Sequence, residues 1–486
     1  MNKLLIIGLD GFDPNLFEKW EPLLPNLSLF KKKGFYTRLK SVFPPDSIPA
    51  WTTIYTGLSP DKHGIIHSID YLEKNYTKLK FDFHVFKGKT FWDIIGTHGK
   101  KVCVINPFLA YPVWPVNGVM VNGPVFVAGE NQSYPEDILK KYDIPPLGGI
   151  VDFPTKDTLE EFYQETIKLT LDEAKFGLAL LEDISWDLFF ISFLTPDRIQ
   201  HFFWRYCDKN DPTYPGPNKH ENKIKEAYII FDKIVGDFLN RIDSFTTVIV
   251  LSDHGHGMRC PMCFNIKEYF RRRGFIATKT GKAKYISYVI EKMKFYVLKA
   301  IYYFDLEVSG LLKKIPGKKA LKESSYLTQP NKSLINIPNL NGSNPYGGIE
   351  LNKELIEAKG INYEEFRENL IKELKRLKTP EGEFVFEYIC RREDIYKSPE
   401  YFPDILFKLN EKYGVSWQLY CPLFSVNPTH KKISGGHKQY GVFFAYNYNG
   451  KINNQYPSLI DIAPTILQML DIDIMGFEGK PVISKQ

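Results

Sequence analysis

Three short apolar runs constrain the fold of this chain most strongly, because each one leads into residues that can bind a metal ion. LLIIGL precedes Asp10, LFFISF precedes Asp197 and His201, and TVIVL precedes Asp253 and His254. Such near-continuous apolar runs are typical of strands buried in a parallel sheet. Open α/β sheets bind ligands at the carboxyl ends of their strands. We therefore expect these side chains to gather at one edge of a sheet.

The order of strand and helix patterns predicts the fold class. Helical periodicity at 157–181 and 222–242 alternates with strand patterns at 187–193 and 246–251. This β–α–β rhythm predicts an α/β fold, with a mostly parallel central sheet and helices on both faces. Further strands are expected at 4–9, 101–105, 404–409 and 440–446, and further helices at 363–377 and 458–470. Residues 16–35 have partly helical spacing.

One segment interrupts this rhythm and holds the excess positive charge. The chain has 486 residues and a net charge of +6, whereas residues 271–322 contain 14 Lys or Arg and 3 Asp or Glu. A helix-like apolar stripe at 286–304 is interleaved with lysines. We predict a catalytic core at 1–257 and 341–486, and a helical, basic cap insertion at 258–340.

Three uses of the basic segment stay open. Residues 271–322 can help to bind an anionic substrate, or they can contact an anionic membrane surface. The third alternative is a solvated insertion whose apolar stripe packs on the core. Since no nucleic-acid-binding module is recognisable, no nucleic-acid partner is expected.

The sequence gives only a simple expectation for the compartment. The apolar run at Leu4–Leu9 is too short for a secretory signal, and no apolar stretch is long enough to span a bilayer. The 6 Cys are widely spaced, which favours reduced thiols. We expect a cytoplasmic protein, free or peripheral to a membrane.

Ser47 is the candidate nucleophile. It opens a helical pattern in FPPDSIPAW, so it is expected to be the helix N-cap with Pro49 in the first turn. A hydroxyl there lies at the positive end of the helix dipole, and a divalent cation would favour its alkoxide further. The alternative is a serine that only caps the helix. Ser47 is preferred as a nucleophile only because the other candidate ligands accompany it.

The remaining candidates fall into two ligand sets. Asp10, Ser47, Asp253 and His254 are expected to hold one ion, with His256 ranked behind His254. Asp197 and His201 are four residues apart, so a helix places them on one face. Together with His437 in SGGHK they are expected to hold a second ion. Two such ions can stabilise the attacking and leaving oxygens of a displacement at phosphorus. Zinc suits the histidines, and manganese suits the carboxylates.

Several motifs carry a resemblance to a known family. LDGFD, SIPAWTTIYTGLSPDKHGI, TPDRIQH, SDHGHG, GGHK and DIAPTIL resemble the alkaline phosphatase superfamily, and within it the type I phosphodiesterase/nucleotide pyrophosphatase group. The resemblance implies an α/β bimetal hydrolase in which Ser47 attacks phosphorus and a phospho-enzyme forms. It also implies the seven ligands named above. Many relatives have Thr at the position of Ser47.

The chain departs from this family near the expected substrate side. Ser68 stands where relatives place an Asn that binds a phosphate oxygen, which puts a nucleotide substrate in doubt. The segment INPFLAYP, which contains Asn106 and Tyr111, resembles a loop on the substrate side of the site in these relatives. Sulfatases of the same superfamily need an Arg shortly after the nucleophile, and this Arg is missing after Ser47. The central domain of phosphoglycerate mutases is not recognisable either. Both observations argue against these two activities.

The predicted function is a metal-dependent phosphoesterase acting on a small-molecule phosphodiester or pyrophosphate through Ser47. One alternative is a phosphomonoesterase or phosphotransferase using the same site. The other is a peripheral membrane or scaffold protein with a vestigial site. The sequence gives no oligomeric state.

Overall fold

The computed structural model describes residues 3–66, 87–125, 129–148, 153–306, 318–398 and 401–484. The chain divides into two compact units. The first unit contains Met1–Asn210, Tyr214–Gly257 and His437–Gln486, and the second contains Asp211–Thr213 and Met258–Gly436.

The strands and helices are numbered here in chain order. The strands are β1 (Leu4–Leu9), β2 (Phe35–Lys40), β3 (Val102–Ile105), β4 (Gly118–Asn122), β5 (Gln132–Tyr134), β6 (Leu188–Phe193), β7 (Thr247–Leu251), β8 (Gly255–Met258), β9 (Met262–Asn265), β10 (Ile335–Asn336), β11 (Tyr346–Leu351), β12 (Phe386–Arg391), β13 (Ile405–Leu409), β14 (Tyr413–Ser416), β15 (Phe424–Val426), β16 (Gly435–Lys438), β17 (Tyr440–Tyr446), β18 (Lys451–Ile452) and β19 (Ile483–Ser484). The helices are α1 (Pro14–Trp20), α2 (Pro25–Lys33), α3 (Ser47–Thr56), α4 (Pro60–His63), α5 (Phe91–Thr97), α6 (Ile138–Lys141), α7 (Leu159–Asp183), α8 (Thr195–Cys207), α9 (Lys223–Leu239), α10 (Ile266–Arg272), α11 (Gly281–Tyr303), α12 (Lys318–Glu323), α13 (Lys353–Ala358), α14 (Tyr363–Lys375) and α15 (Ile462–Met469).

The first unit is built on an eight-stranded sheet of order β2-β17-β7-β1-β6-β3-β4-β5. The neighbours from β7 to β4 run parallel, while β2, β17 and β5 add antiparallel pairs at the two sides. Strand β1 lies between β6 and β7, and all three are buried along their whole length. The predicted α/β fold with a mostly parallel sheet is confirmed.

Two adjacent residues of β6 show that helices cover both faces of this sheet. Phe190 packs against Trp51 of α3 and Phe91 of α5. Its neighbour Phe189 contacts Phe238 of α9 on the opposite face. Side chains of a strand alternate between faces, so a strand covered on both sides must be apolar throughout. This explains why LFFISF shows no polar alternation.

The second unit has sheets and a core of its own. A four-stranded sheet has the order β10-β11-β13-β12, and a three-stranded sheet has the order β14-β9-β15. Their apolar residues form one buried cluster with those of α10 and α14, including Phe264, Phe270, Leu370 and Phe407. Outside these sheets, β8 pairs with β16, and β18 of the first unit pairs with β19.

The domain limits differ from the sequence expectation at one end. The second unit begins at Met258, where the insertion was expected to begin, but it continues to Gly436 instead of ending at 340. Residues 341–436 supply five of its strands. Of these, β11 pairs with β10, and β14 and β15 pair with β9, so they join the segment before 340. The helical segment is therefore part of a larger α+β unit. Among the described residues, no helix is both long and apolar enough to cross a membrane.

Candidate metal centre

The carboxyl ends of three neighbouring strands bring the candidate ligands together. In the parallel register, Gly8 of β1 pairs with Ser192 of β6 and with Leu251 of β7. The residues that follow these strands therefore leave the sheet at the same edge. Asp10 follows β1, and the pair Asp253 and His254 follows β7. The edge expected from the sequence is where these residues lie.

Asp10, Asp253 and His254 form a buried cluster around the Ser47 hydroxyl. Ser47 Oγ lies 3.0 Å from His254 Nε2 and 3.3 Å from Asp10 Oδ1. His254 Nε2 also lies 3.3 Å from Asp253 Oδ2 and 3.6 Å from Asp10 Oδ1. One ligand atom from each of Asp10, Asp253 and His254 lies within 4.8 Å of the others. This spacing suits a single cation.

Ser47 lies at the start of α3, but it is not the N-cap. Asp46 has the extended N-cap conformation, and its carboxylate accepts the Ile48 amide at 3.2 Å. The expectation that Ser47 caps the helix is therefore wrong, because the acidic neighbour takes that position. Pro49 lies in the first turn, as expected. Since the capping bond is made by Asp46, the Ser47 hydroxyl is left to face Asp10 and His254.

The second cluster joins Asp197, His201 and His437. Asp197 and His201 lie one turn apart on α8, and Asp197 Oδ2 is 3.2 Å from His201 Nε2. His437 Nε2 approaches Asp197 Oδ1 at 3.4 Å and His201 Nε2 at 3.1 Å. These three residues form another group with ligand atoms within 4.8 Å of one another. The structure therefore brings together all seven residues of the two sets.

His256, which the sequence ranks behind His254, lies at the same place. Its Nδ1 lies 3.2 Å from Asp197 Oδ1. Asp197, His254 and His256 make a third group with ligand-type spacing. The signal was present in SDHGHG, because side chains two residues apart in an extended segment point to the same side. His256 lies in β8, directly after the turn that carries His254.

Backbone carbonyls orient two of the imidazoles. His254 Nδ1 lies 2.9 Å from the carbonyl oxygen of Gly255, and His437 Nδ1 lies 3.2 Å from that of Pro45. A carbonyl oxygen can only accept, so Nδ1 carries the proton in each ring. That tautomer leaves Nε2 as the atom that faces the carboxylates, as in histidines that bind metals.

Gly11 allows the backbone of the β1 turn to approach Asp197. Its φ is +64°, and a Cβ at this position would lie 3.0 Å from the Asp197 carboxylate. The Gly11 amide donates to Asp253 Oδ1 at 3.1 Å, and its carbonyl accepts from Gln200 Nε2 at 2.8 Å. This glycine therefore links the two clusters without a side chain that would separate them.

Burial and mutual repulsion control the charges of the carboxylates. Burial raises the pKa of Asp10 well above its usual value, and the negative charges of Asp253 and Asp197 raise it further. Burial also raises the pKa of Asp253, and Asp197 adds to this effect. Burial would raise the pKa of Asp197 too, but the nearby histidines, with His201 first, hold it well below its usual value. Asp10 and Asp253 thus lack enough positive charge around them, whereas Asp197 has it from the histidines.

The histidines respond to the same environment in two ways. Burial lowers the pKa of His254 well below its usual value and lowers that of His256 to about 3. Burial opposes the charged form of His437 as well, but Asp197 outweighs it and raises the pKa of His437 to about 9. His254 and His256 are therefore neutral imidazoles next to carboxylates, which are suited to bind a cation, whereas His437 has to release a proton to bind one.

Unsatisfied buried atoms fit the same interpretation. Asp253 Oδ2, Asp197 Oδ1 and both ring nitrogens of His256 are buried and make no hydrogen bond among the described residues. Buried polar atoms without hydrogen bonds are costly and rare in native proteins. Carboxylate oxygens and imidazole nitrogens are also the ligand types of zinc and manganese. The residues therefore fit two divalent cations.

Three residues were expected from the sequence to contact the substrate: Ser68, Asn106 and Tyr111. Ser68 lies outside the described residues. Asn106 is buried, and its amide donates to the carbonyl of Ser192 at 3.1 Å and accepts from the Gly148 amide at 3.0 Å. The Tyr111 hydroxyl donates to the carbonyl of Glu130 at 2.9 Å. The polar groups of Asn106 and Tyr111 thus hold neighbouring backbone segments in place, and a substrate role for them stays a prediction.

Comparison with known families agrees with the geometry of the site. A family model described as type I phosphodiesterase / nucleotide pyrophosphatase matches residues 4–413. The chain belongs to this family. The matched range includes every candidate ligand except His437, which lies beyond its end.

Curated members of the type I phosphodiesterase family match parts of the chain. Ectonucleotide pyrophosphatase/phosphodiesterase family member 1 of Homo sapiens is 27% identical over 263 residues, which is 52% of this chain and 23% of that protein. Venom phosphodiesterase 2 of Crotalus adamanteus is 28% identical over 156 residues, or 29% of this chain and 18% of that protein. The chain therefore matches less than a quarter of the length of these relatives.

Solved structures resemble the chain over most of its length at low identity. Human ectonucleotide pyrophosphatase / phosphodiesterase 5 has a TM-score of 0.47 at 14% identity, covering 98% of this chain and 97% of that one. Phosphonoacetate hydrolase from Sinorhizobium meliloti 1021 has a TM-score of 0.48 at 14% identity, covering 95% and 94%.

Proposed function

We propose that this chain is a metal-dependent phosphoesterase that hydrolyses a phosphodiester or a pyrophosphate. The observation that carries the proposal is the position of the Ser47 hydroxyl, within 3.3 Å of both Asp10 and His254 at a cluster of buried carboxylates. Family membership supports it, since the family is described by phosphodiesterase and nucleotide pyrophosphatase activity.

The proposed roles follow from the two clusters. Asp10, Ser47, Asp253 and His254 would hold one divalent ion, and Asp197, His201 and His437 would hold the other. Zinc is the proposed ion, with manganese as the alternative. When bound, the ions supply positive charge for the attacking and leaving oxygens of a displacement at phosphorus.

Ser47 is the proposed nucleophile. Its Oγ forms a bond to phosphorus while the ester or anhydride oxygen leaves, which gives a phosphoserine. Water then attacks the same phosphorus and releases phosphate or a phosphomonoester, and Ser47 recovers its proton. Asp46 supports this role because it caps α3 and so keeps the Ser47 hydroxyl available at the helix start.

A Ser47→Ala variant tests the nucleophile. We expect turnover of a nitrophenyl phosphodiester with Zn²⁺ or Mn²⁺ to fall at least about a thousandfold, because the attacking oxygen is lost. Ser47→Thr keeps a hydroxyl and is expected to retain measurable activity. Ser59→Ala is the matched control, since Ser59 also lies at a helix start but pairs with Asp61. Undiminished turnover in Ser47→Ala would contradict the proposed role.

The alternatives separate in the same assay. Matched mono- and diester substrates distinguish a phosphodiesterase from a phosphomonoesterase or phosphotransferase using the same site. A metal-loaded protein that hydrolyses none of these substrates would favour a scaffold protein with a vestigial site. The cytoplasmic location stays a prediction, and an anionic membrane surface as a partner of 271–322 is also a proposal.

A further inference from the structure

Helix α11 turns its polar side towards the protein. The carboxylate of Glu291 is buried and accepts a hydrogen bond from Lys294 Nζ at 2.8 Å. It also accepts from the Leu419 amide at 3.2 Å and from the hydroxyl of Tyr326. Ser287, one turn before Glu291, is buried as well. Polar contacts of Glu291 and Lys294 therefore help to anchor this helix in the second unit.

The opposite side of α11 is apolar and exposed. At about 100° per residue, Ile286, Met293 and Val297 lie far around the helix from Ser287, Glu291 and Lys294. Each of these three apolar side chains is more than half exposed. We define the apolar stripe as Tyr285, Ile286, Ile290, Met293, Tyr296 and Val297, all exposed. A surface helix normally buries its apolar residues, so the exposed apolar stripe of α11 departs from the usual arrangement.

Positive charge lines one flank of the apolar stripe. Lys292 and Lys299 are seven residues apart, about two turns, and so lie on the same flank of the helix. The ammonium group of Lys292 approaches the ring of Tyr288, and that of Lys299 approaches the ring of Tyr303. Residues 271–322 as a whole contain 14 Lys or Arg against 3 Asp or Glu. An exposed apolar side with lysines and tyrosines beside it is typical of helices that lie in a membrane interface.

An open basic cavity lies next to this helix. Its volume is about 500 Å³, and its lining includes Arg271, Arg272, Lys292, Glu268, Tyr288 and Tyr420. Glu268 pairs with both arginines, at 2.7 Å to Arg271 and 2.8 Å to Arg272. The lining of the cavity thus has three cationic groups and one carboxylate. This excess of positive charge is suited to a phosphate group.

We propose that α11 docks on an anionic phospholipid surface. The apolar stripe enters the boundary between headgroups and acyl chains, and the lysines and the basic cavity contact lipid phosphates. Helix α11 lies along the surface and does not cross it, since no described helix meets the requirements of a membrane span. Binding of this kind is independent of hydrolysis at Ser47, so it goes beyond the proposed function.

Vesicle co-sedimentation of the full chain tests the docking. We expect binding to vesicles of phosphatidylcholine with phosphatidylglycerol, weaker binding to phosphatidylcholine alone, and loss of binding as salt rises. Met293→Glu/Val297→Glu places two carboxylates on the apolar stripe and is expected to weaken binding at least about tenfold. Phe245→Glu is the matched control, because Phe245 is 82% exposed and lies in the first unit. Its binding should equal that of the wild type.

Two charge-reversal variants test whether lysines beside the apolar stripe attract the anionic vesicles. Lys292→Glu is expected to weaken binding to anionic vesicles several-fold, whereas Lys359→Glu, an exposed lysine outside 271–322, should change it little. Thermal unfolding and turnover of a soluble phosphodiester should be the same in all these variants and in the wild type. Those readouts separate failed docking from misfolding or from failure of the proposed hydrolase function.

Three results would overturn the proposal. The first is a wild type that does not bind anionic vesicles. The second is a Met293→Glu/Val297→Glu variant that binds as well as the wild type. The third is a wild-type dimer in light scattering that this double variant converts to a monomer, with no vesicle binding by either, which would assign the apolar stripe to a second copy of the chain.

Discussion

His256 is the residue whose surroundings most need an explanation. Both of its ring nitrogens are buried without a hydrogen bond among the described residues, and its Nδ1 is 3.2 Å from Asp197 Oδ1. Burial lowers the pKa of His256 to about 3, so the ring is neutral. A neutral imidazole that only packed here would leave two polar atoms unsatisfied. A role in holding a cation together with Asp197 removes that cost.

His256→Gln should therefore weaken metal binding. We expect the affinity of the Asp197 cluster for Zn²⁺ to fall about 10- to 100-fold, which is typical when a group that supports metal ligands is lost. Metal content after dialysis against a metal buffer measures this directly, without reference to turnover. His220→Gln is the control, because His220 is also buried but lies beside Glu160. Equal metal content in the two variants would show that His256 only packs.

At the scale of elements, Glu173 of α7 is a buried carboxyl outside the metal centre. Burial raises its pKa to about 8, against a partial opposing effect of the Arg198 charge. Its Oε1 accepts a hydrogen bond from Asn106 Nδ2 at 3.4 Å. Glu173 is thus protonated in the folded chain at neutral pH, and α7 packs around a neutral group.

This protonation predicts a pH-dependent stability. The unfolded chain releases the Glu173 proton near its ordinary pKa of 4.5, whereas the folded chain keeps it up to about 8. Stability is therefore expected to fall as pH rises between these values and to stay low above them. Glu173→Gln cannot ionise and should be more stable than the wild type at about pH 8, by on the order of 3 kcal/mol.

Denaturant unfolding at about pH 5 and about pH 8 measures the Glu173 effect. The wild type and Glu173→Gln should converge at the lower pH, because both side chains are neutral there. Glu165→Gln changes an exposed glutamate of the same helix and should behave like the wild type at both values. A constant difference between wild type and Glu173→Gln at the two pH values would contradict the assigned pKa shift.

The elements were predictable from the sequence where periodicity is strong. The strands at Leu4–Leu9 and Tyr440–Tyr446 and the helix at α9 appear within a few residues of their expected places. The pattern at 16–35 has only partly helical spacing, and its helical part is divided between α1 and α2, because Pro22 and Pro25 interrupt the helical hydrogen bonding. The Ser47 cap was wrong for a similar local reason, since Asp46 competes for the same position.

At the scale of the whole molecule, the extent of the second unit could not be read from local patterns. Strands β11 and β13 pair with each other across more than fifty residues of sequence, and β9 pairs with β14 and β15 from much later in the chain. Such long-range pairing leaves no periodic signal near 340. The gathering of the candidate ligands was easier to predict, because the types of these residues and their places after strands carry the information.

The metal centre predicts that one substitution has opposite effects with and without a cation. Three carboxylates are buried together in this centre, and the negative charge of one makes the ionised form of its neighbours less favourable. They are Asp10, Asp197 and Asp253. Asp253→Asn removes one negative charge and can still accept from the Gly11 amide through Oδ1, which lies 3.1 Å away. Without metal, this variant should melt at a higher temperature than the wild type.

With Zn²⁺ present, the order of the two proteins should reverse. A cation that binds only the folded chain stabilises it by about 2.7 kcal/mol at a hundred times its dissociation constant, and Asp253→Asn loses one of the ligands that provide this. Thermal unfolding after chelator treatment, and again after Zn²⁺ or Mn²⁺ is added back, measures both halves. Asp243→Asn, at a surface turn, is the control and should follow the wild type in both conditions. A wild type whose melting temperature does not respond to either metal would mean that the buried carboxylates are balanced by protons alone, and the two-metal assignment would have to be abandoned.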